Sequence, residues 1–432
     1  MLDPRPLRFD PVHHHLTGHD DCDGTPLPVL DGLVTTTGAA LAWATDDFGR
    51  TTAHPPPLGV VRPASVEDIG AILGFAREQG IPVVPRAEGH STAGQAQAPG
   101  GIVLDMRGFT AVHQLSEDRV VVDAGVRWCD VLDTALSKGS APPVLTDHLG
   151  TSVGGTLSVG GIGGATHHFG LQTDNVLQLD VVTPDGACVT CSPSVNVELF
   201  DDVRAGSGRR GVIVRATVRL VPAHTHARRF RLRYDDLGAF LADQRTLVTE
   251  GRFHHLEGRA EPVDRGWAYW MDGVSYFTPP TTPAEEYLLA GLSDVRDAAE
   301  VVDLAYRDFQ HRLAGDATLS NSPDPLRHHH PWLTLLLPDH AAEHLVAEVF
   351  SGLTARDVGD AGRVLLYPVP RARINTPRFR LPDGPIAFLF GLLRAAPPND
   401  PALLCRMLAD NRELRDRAVR AGATTYLGAV EG

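Results

Sequence analysis

Six of the eleven residues from Gly154 to Gly164 are glycine, in the order Gly154-Gly155-Thr-Leu-Ser-Val-Gly160-Gly161-Ile-Gly163-Gly164. No long helix or strand tolerates that density, because glycine loses more backbone freedom on ordering than any other residue, so the run reads as tight turns. A second small-residue loop, Arg86-Ala-Glu-Gly89-His90-Ser91, lies upstream. With no Cβ in the way and positive φ open to them, such loops let backbone amides approach a diphosphate, and a dinucleotide fits better than a mononucleotide. Neither loop has the G-x-G-x-x-G spacing of a nicotinamide-binding strand–turn–helix, nor the Gly-Lys-Ser/Thr of a P-loop. Glycine-rich loops also serve as plain turns, and spacing alone leaves both readings open.

The chain has 432 residues, more than one core usually holds, so two domains are expected. Its 39 basic and 53 acidic side chains leave a net charge of −14, which argues against nucleic acid and anionic membranes as partners. Five scattered cysteines exclude a disulfide scaffold, and Cys188-x-x-Cys191 has no second pair to complete a zinc site. The histidine runs His13–His15, His254–His255 and His328–His330 show no acidic or thiol partner at ligand spacing, so no metal is expected. Met1-Leu-Asp-Pro-Arg-Pro6 lacks the pattern of a secretory signal, and no apolar stretch reaches membrane-spanning length; the expectation is a soluble, cytoplasmic protein.

Strand and helix patterns alternate in the first half. Ser65, with Asp68 three residues on, marks a helix start, Ile69, Ile72, Leu73 and Ala76 share one face, and Gly80 ends the pattern. Ile81–Pro85, Ile102–Met106 and Arg119–Asp123 read as strands, Trp128–Lys138 as a helix, and Pro184-Asp-Gly186 as a hairpin turn. After Pro222 the texture changes: strand-like pieces at Phe253–Leu256 and Trp267–Met271, long helical stretches at Glu285–Leu313 and Ala341–Thr354, and an arginine-rich amphipathic helix from Pro401 to Gly422. A second domain, one sheet covered by helices, is the economical reading.

Arg86-x-x-Gly89-His90-Ser91 followed by Gly94-Gln95-Ala96 resembles the flavin-attachment loop of FAD-linked oxidases of the vanillyl-alcohol oxidase / p-cresol methylhydroxylase type. Within that superfamily the chain resembles the cytokinin dehydrogenases (cytokinin oxidases). The motifs, in family order, are Thr146-Asp147-His-Leu149, Val153-Gly-Gly-Thr-Leu-Ser158, Gly170-x-Gln172-x-x-Asn175-Val176, Leu179-Asp-Val-Val-Thr183 and Cys191-Ser-Pro193-x-x-Asn196. Leu256-Glu257-Gly258, His330-Pro-Trp-Leu333 and Tyr367-Pro368 continue it, and the likeness runs from about Asp46 to Tyr426.

The resemblance implies an α+β, two-domain FAD-linked oxidase fold. A PCMH-type FAD-binding domain is expected over residues 1–222, an α+β substrate cap domain over 223–425, and the start of a return to the FAD domain over 426–432. It implies FAD bound covalently through His90, and cofactor contacts from Arg86, Gly89, Ser91, Gln95, Asp147, Thr151, Gly154, Gly155, Ser158, Gly161, Gly163, Gly164, Val212 and Ile213, with Gln172 and Asn175 hydrogen-bonding the cofactor or its loops. Asp147 is assigned to catalysis: oxidising a secondary amine needs a hydride to leave carbon while a base accepts or holds the N–H proton, and an enclosed carboxylate suits that. Glu257 matches the glutamate that grips the purine from the cap. The plain alternatives are a turn aspartate after Thr146 and a surface strand glutamate, and Leu389, Phe390 and Leu392 are equally pocket or core.

The implied reaction is oxidation of the N6 side-chain amine of a cytokinin of the isopentenyladenine type to an imine, which water splits into adenine and an aldehyde. Electrons would pass to a quinone or oxygen, and the protein would act as a monomer or homodimer. Two departures qualify the likeness. The family's Trp-x-x-His and Asp-Pro-x-x-x-Leu-x-Pro-Gly-Gln endings have no counterpart before Gly432, from which a truncated sequence or a partly lost flavin site is expected, and Arg209-Arg210 replaces Gln-Phe near the expected adenine end. Another FAD-linked alcohol or secondary-metabolite oxidase, or a degenerate non-catalytic flavoprotein, are the alternatives.

Overall fold

Burial follows two periods along the chain, about 3.6 in helices and 2 in strands, and sorts the residues into separate cores. The computed structural model describes residues 7–18, 24–319 and 327–426. After a small three-stranded sheet (Arg8–Asp10, His15–Thr17, Thr25–Pro26), the first part continues with β1 (Leu33–Thr35), β2 (Gly59–Arg62), α1 (Val66–Gln79), β3 (Val83–Arg86) and β4 (Ile102–Asp105), whose strands form a four-stranded sheet in the order β1-β2-β4-β3. Strands β2 and β3 run parallel to β4, and α1 packs Ile69, Ile72 and Ala76 against Val61, Ile102 and Leu104. Ser65 Oγ accepts the Asp68 amide at 3.2 Å, and Gly80 ends the helix at φ 67°, as the capping signals predict.

An antiparallel sheet follows, built from β5 (Val112–Leu115), β6 (Arg119–Asp123), β7 (Val176–Val182), β8 (Cys188–Cys191) and β9 (Val212–Arg219) in the order β8-β7-β9-β6-β5. Between β6 and β7 lie helices α2 (Trp128–Leu136) and α3 (Val153–Leu157). Trp128 is fully buried and its indole N–H donates to Thr156 Oγ1 at 2.7 Å, which fixes α3 and the glycine run after it to the core.

The second part is one antiparallel sheet with its helices. Its elements are β10 (His226–Tyr234), α4 (Leu237–Glu250), β11 (His255–Val263), β12 (Gly266–Phe277), β13 (Glu300–Ala305), α5 (Tyr306–Gln310), β14 (Trp332–Pro338), α6 (Asp339–Gly352), β15 (Arg363–Pro370), β16 (Ile386–Leu393), α7 (Pro401–Arg420) and β17 (Thr424–Tyr426). The strand order is β13-β10-β12-β11-β15-β16-β14-β17. Alternation assigns the two faces. Leu335, Leu337, Leu366, Phe388 and Phe390 join α4, α6 and α7 in one core, whereas Leu336, Tyr367 and Leu389 point the other way, onto Ile162 and Leu171 of the first part.

The expected long helix over Glu285–Leu313 is broken into two short helices, Glu285–Leu289 and Tyr306–Gln310, with a strand between them. Gly291 sits at φ 71°, and Glu300–Ala305 instead pairs with β10 from Arg231↔Glu300 to His226↔Ala305, where β-branched Val301 and Val302 favour the strand. Tyr426 pairs with Thr334 inside the same eight-stranded sheet, and residues 427–432, expected to lead back to the first domain, lie outside the described residues.

The start of α1 also anchors the N-terminal segment. Asp68 accepts the amides of Asp31 and Gly32 at 2.9 Å and Ala64 at 2.8 Å. Burial acts to raise its pKa, but these amide bonds outweigh it and hold the carboxyl below its ordinary value of 3.8. Asp68→Ala is expected to cost about 2 kcal/mol at neutral pH. A depressed carboxyl stabilises the fold above its unfolded pKa and ceases to as pH falls through the folded one, so the Tm deficit should shrink below about pH 4 in a thermal-melt series.

Candidate active site

The loop carrying His90 is held by a residue that no sequence motif singles out, Asp47. Its carboxylate accepts Ser91 Oγ at 2.8 Å, the Gly94 amide at 2.9 Å and the Arg50 amide at 3.0 Å. Two backbone bonds, Phe48 N–H to Gly89 O at 2.9 Å and Gly49 N–H to Ser91 O at 3.0 Å, complete the clamp. Arg86 is buried beneath the loop, donating to the carbonyls of Asp46 and Ala96 and stacking on Trp43 at 4.3 Å. Gln95 turns back to accept the Ala93 amide at 3.0 Å.

The His90 ring lies on Phe48, centroids 4.6 Å apart and nearly parallel, with His330 on the other face of Phe48 at 4.2 Å and His148 against His90 at 4.5 Å. Desolvation first, then the neighbouring His148, pushes the His90 pKa well below 6.5, so its imidazole is neutral and keeps a free nitrogen lone pair near neutral pH. The run His328–His330 thus has a structural use: the His330 amide donates to Gly49 O at 2.8 Å, and His329 Nδ1 bonds Arg50 O at 2.7 Å.

The glycine run threads between two walls. A Cβ on Gly163 would lie 1.9 Å from the Leu145 carbonyl oxygen, and one on Gly164 would lie 2.4 Å from the His255 ring. Gly161 is pressed likewise against Gln172, and Gly154 against Ala124. These positions are glycine because the run packs on protein, and the packing positions the acids. Gly163 abuts the segment leading to Asp147, and Gly164 O accepts the Leu256 amide at 2.9 Å, beside Glu257 on β11. Thr151 Oγ1 donates to His148 O at 3.1 Å and Ser158 Oγ to Gly154 O at 2.7 Å; Gly155 is exposed, while Val212 and Ile213 lie in the cores of the first part. Asn175 donates to the carbonyls of Phe169 and Leu171, bracing a neighbouring turn.

Asp147 and Glu257 meet at the boundary between the two parts, and Arg312 bridges them. Its guanidinium bonds Asp147 Oδ1 and, at 3.2 Å, Glu257 Oε2. Desolvation, followed by the charge of Glu257, raises the Asp147 pKa to about 7, with Arg312 opposing. His255 Nε2 is 3.4 Å from Glu257 Oε1, and burial keeps that imidazole neutral, its pKa lowered to about 3. Asp147, His255 and Glu257 lie close enough to be a candidate metal cluster, but a cation already bridges the two acids there, the Arg312 guanidinium. A second cluster, Asp10, His13 and His15, corrects the expectation that the first histidine run has no acidic partner: Asp10 Oδ2 meets His13 Nδ1 at 2.8 Å. Leu389 faces this boundary, while Phe390 and Leu392 belong to the helix-covered core.

Asp147 binds its proton more tightly in the folded protein than in the unfolded chain. Its protonation therefore favours the fold at acid pH, and that benefit is lost as pH rises from about 4 through about 7. Asp147→Asn is expected to melt a few degrees above wild type near pH 8 and to match it near pH 4, measured as Tm against pH; a pH-independent difference would contradict the raised pKa.

Buried polar atoms without protein partners mark the same region: Gln172 Oε1, Gln97 Oε1 and Nε2, and both ring nitrogens of His330. Such groups call for hydrogen bonds from a polar ligand. Residues 57–192 match the family described as FAD binding domain, and residues 268–430 match that described as cytokinin dehydrogenase 1, FAD and cytokinin binding. The chain is 41% identical to an uncharacterized oxidoreductase in the fasciation locus of Rhodococcoides fascians, over 92% of this chain and 90% of that protein. It is 36% identical to cytokinin dehydrogenase 10 of Oryza sativa subsp. japonica, over 82% of this chain and 72% of that one. In fold it resembles a VAO-type flavoprotein of Myceliophthora thermophila (TM-score 0.67, 18% identity, 86% and 72% covered) and a chitooligosaccharide oxidase (TM-score 0.70, 15% identity, 92% and 88% covered). The neutral His90, the orphaned polar atoms and the loops around them fit FAD. An α+β two-domain fold, an FAD-binding match and a relative named cytokinin dehydrogenase at 36% identity converge: this chain belongs to the cytokinin dehydrogenase family of FAD-dependent oxidoreductases.

Proposed function

We propose that the protein oxidises the N6 side-chain amine of an isopentenyladenine-type cytokinin to an imine, on FAD attached through His90. One observation carries the reading: two carboxylates from different domains, Asp147 and Glu257, share one guanidinium, and His148, next to Asp147 in the chain, packs on His90. These contacts support the reading of the acid pair and His90 as one site.

FAD, when bound, supplies the acceptor for the hydride that leaves the side-chain carbon. Asp147, with its pKa near the working pH, accepts the amine proton as the C=N bond forms. Glu257, on the cap strand, accepts a hydrogen bond from the purine and sets which end of the substrate faces Asp147. Neutral His255 lines the site without adding charge. Water then splits the imine into adenine and an aldehyde, and a quinone or oxygen takes the electrons. We place the protein in the cytoplasm as a monomer or homodimer; among the described residues no helix is long and apolar enough to cross a membrane.

The visible spectrum of purified protein, before and after acid precipitation, tests the attachment, and anaerobic addition of isopentenyladenine tests the reaction. Yellow colour should stay with the pellet in wild type and move to the supernatant in His90→Ala. Bleaching by substrate is expected, slowed about 10²- to 10⁴-fold in Asp147→Asn. A coloured pellet that no N6-alkenyl adenine bleaches would keep the flavoprotein and remove the substrate assignment.

A further inference from the structure

We infer that Arg312 is a positioning residue of this reaction: delivered across the domain boundary by a segment clasped to the first domain, it favours the ionised form of the Asp147 carboxyl and aims it for proton transfer. The inference rests on the proposed role of Asp147 as proton acceptor, and goes beyond it by naming what keeps that acceptor usable.

The clasp is built from α5 and the turn after it. Arg307 makes two bonds to the Asp133 carboxylate at 2.7 Å, and His311 Nε2 reaches the same group at 3.1 Å, so the segment grips α2 of the first domain. Tyr306 is buried in the core of that domain, and its amide donates to Thr225 O at 2.9 Å. Gln310 Nε2 donates to the Tyr276 hydroxyl at 3.0 Å. One residue past this grip, Arg312 is oriented by Phe309, whose ring lies 4.5 Å from the guanidinium carbon and whose carbonyl accepts Nη1 at 3.3 Å. Nη2 is thereby left for the two acids.

Two carboxylates in contact in a desolvated cleft cannot both ionise without a counter-charge. The groups facing them are Arg312 from the clasp, His255 on β11, Tyr276 and Asp272 on β12 and Tyr367 on β15, with Tyr426 on β17 beside Tyr367. Burial keeps His255 neutral and both Tyr276 and Tyr367 protonated, and Asp272 adds no positive charge, so the counter-charge falls to Arg312. Its removal should leave Asp147 holding its proton to higher pH.

The test compares Arg312→Met, Arg312→Lys and Asp133→Asn with wild type. Anaerobic bleaching rate by isopentenyladenine is followed against pH in stopped flow. Arg312→Met should move the acid limb up by about one pH unit or more, with the rate recovering at alkaline pH; Arg312→Lys should restore most of the shift and Asp133→Asn should show a smaller one. A uniform rate loss with the limb unmoved would reduce Arg312 to a structural contact and overturn the inference. Tm against pH reads the same bridge without substrate: the deficit of Arg312→Met should widen from about pH 4 to pH 8 as the acids lose protons, and a constant deficit overturns the inference even where the substrate assignment fails. If Arg312→Met does not fold, Asp133→Asn decides the matter: an upward shift of the acid limb supports the bridge, and an unmoved limb overturns it.

Discussion

Two acids that would repel each other are held together by one arginine, and the two domains meet at that bridge. Asp147 comes from the loop between α2 and α3, Glu257 from β11 of the second domain, and Arg312 from a segment of that domain that grips the first. A desolvated pair of like charges is costly unless its partner is in place, so misdocking the domains would expose or strand charge. The site therefore enforces its own assembly.

The eight-stranded sheet makes that docking possible because both of its faces are buried. Period-2 alternation sends Leu335, Leu366 and Phe390 toward the helices and Leu336, Tyr367 and Leu389 toward the first domain. The same alternation puts His255 and Glu257 on the boundary while Leu256 enters the helix-covered core. A one-residue slip of β11 would replace the carboxylate with Leu256.

Much of this is legible in the sequence, for identifiable reasons. The capping signals at Ser65 and Gly80 and the strand at Arg119–Asp123 are local, and local chemistry decides them. His90, Asp147 and Glu257 stand out through motif order, and the fold brings the two acids together. Arg312 does not stand out, because it lies in the stretch that reads as one helix from Glu285 to Leu313, where it is one more solvated arginine; only the pairing of Glu300–Ala305 with β10 reverses the chain and aims it inward. Asp47 is silent for a similar reason, since its partners Ser91 and Gly94 are more than forty positions away. The glycine run reads as phosphate access, while the packing of Gly163 on Leu145 and of Gly164 on His255 is long-range and invisible to spacing.

The hydroxyl of Tyr426 on β17 receives the amides of Gly161 and Ile162, so the glycine run of the first domain is closed by the last strand of the cap sheet. Closing the run therefore needs the second sheet docked as well as the first domain folded, so loss of Tyr426 would open the glycine run on that side.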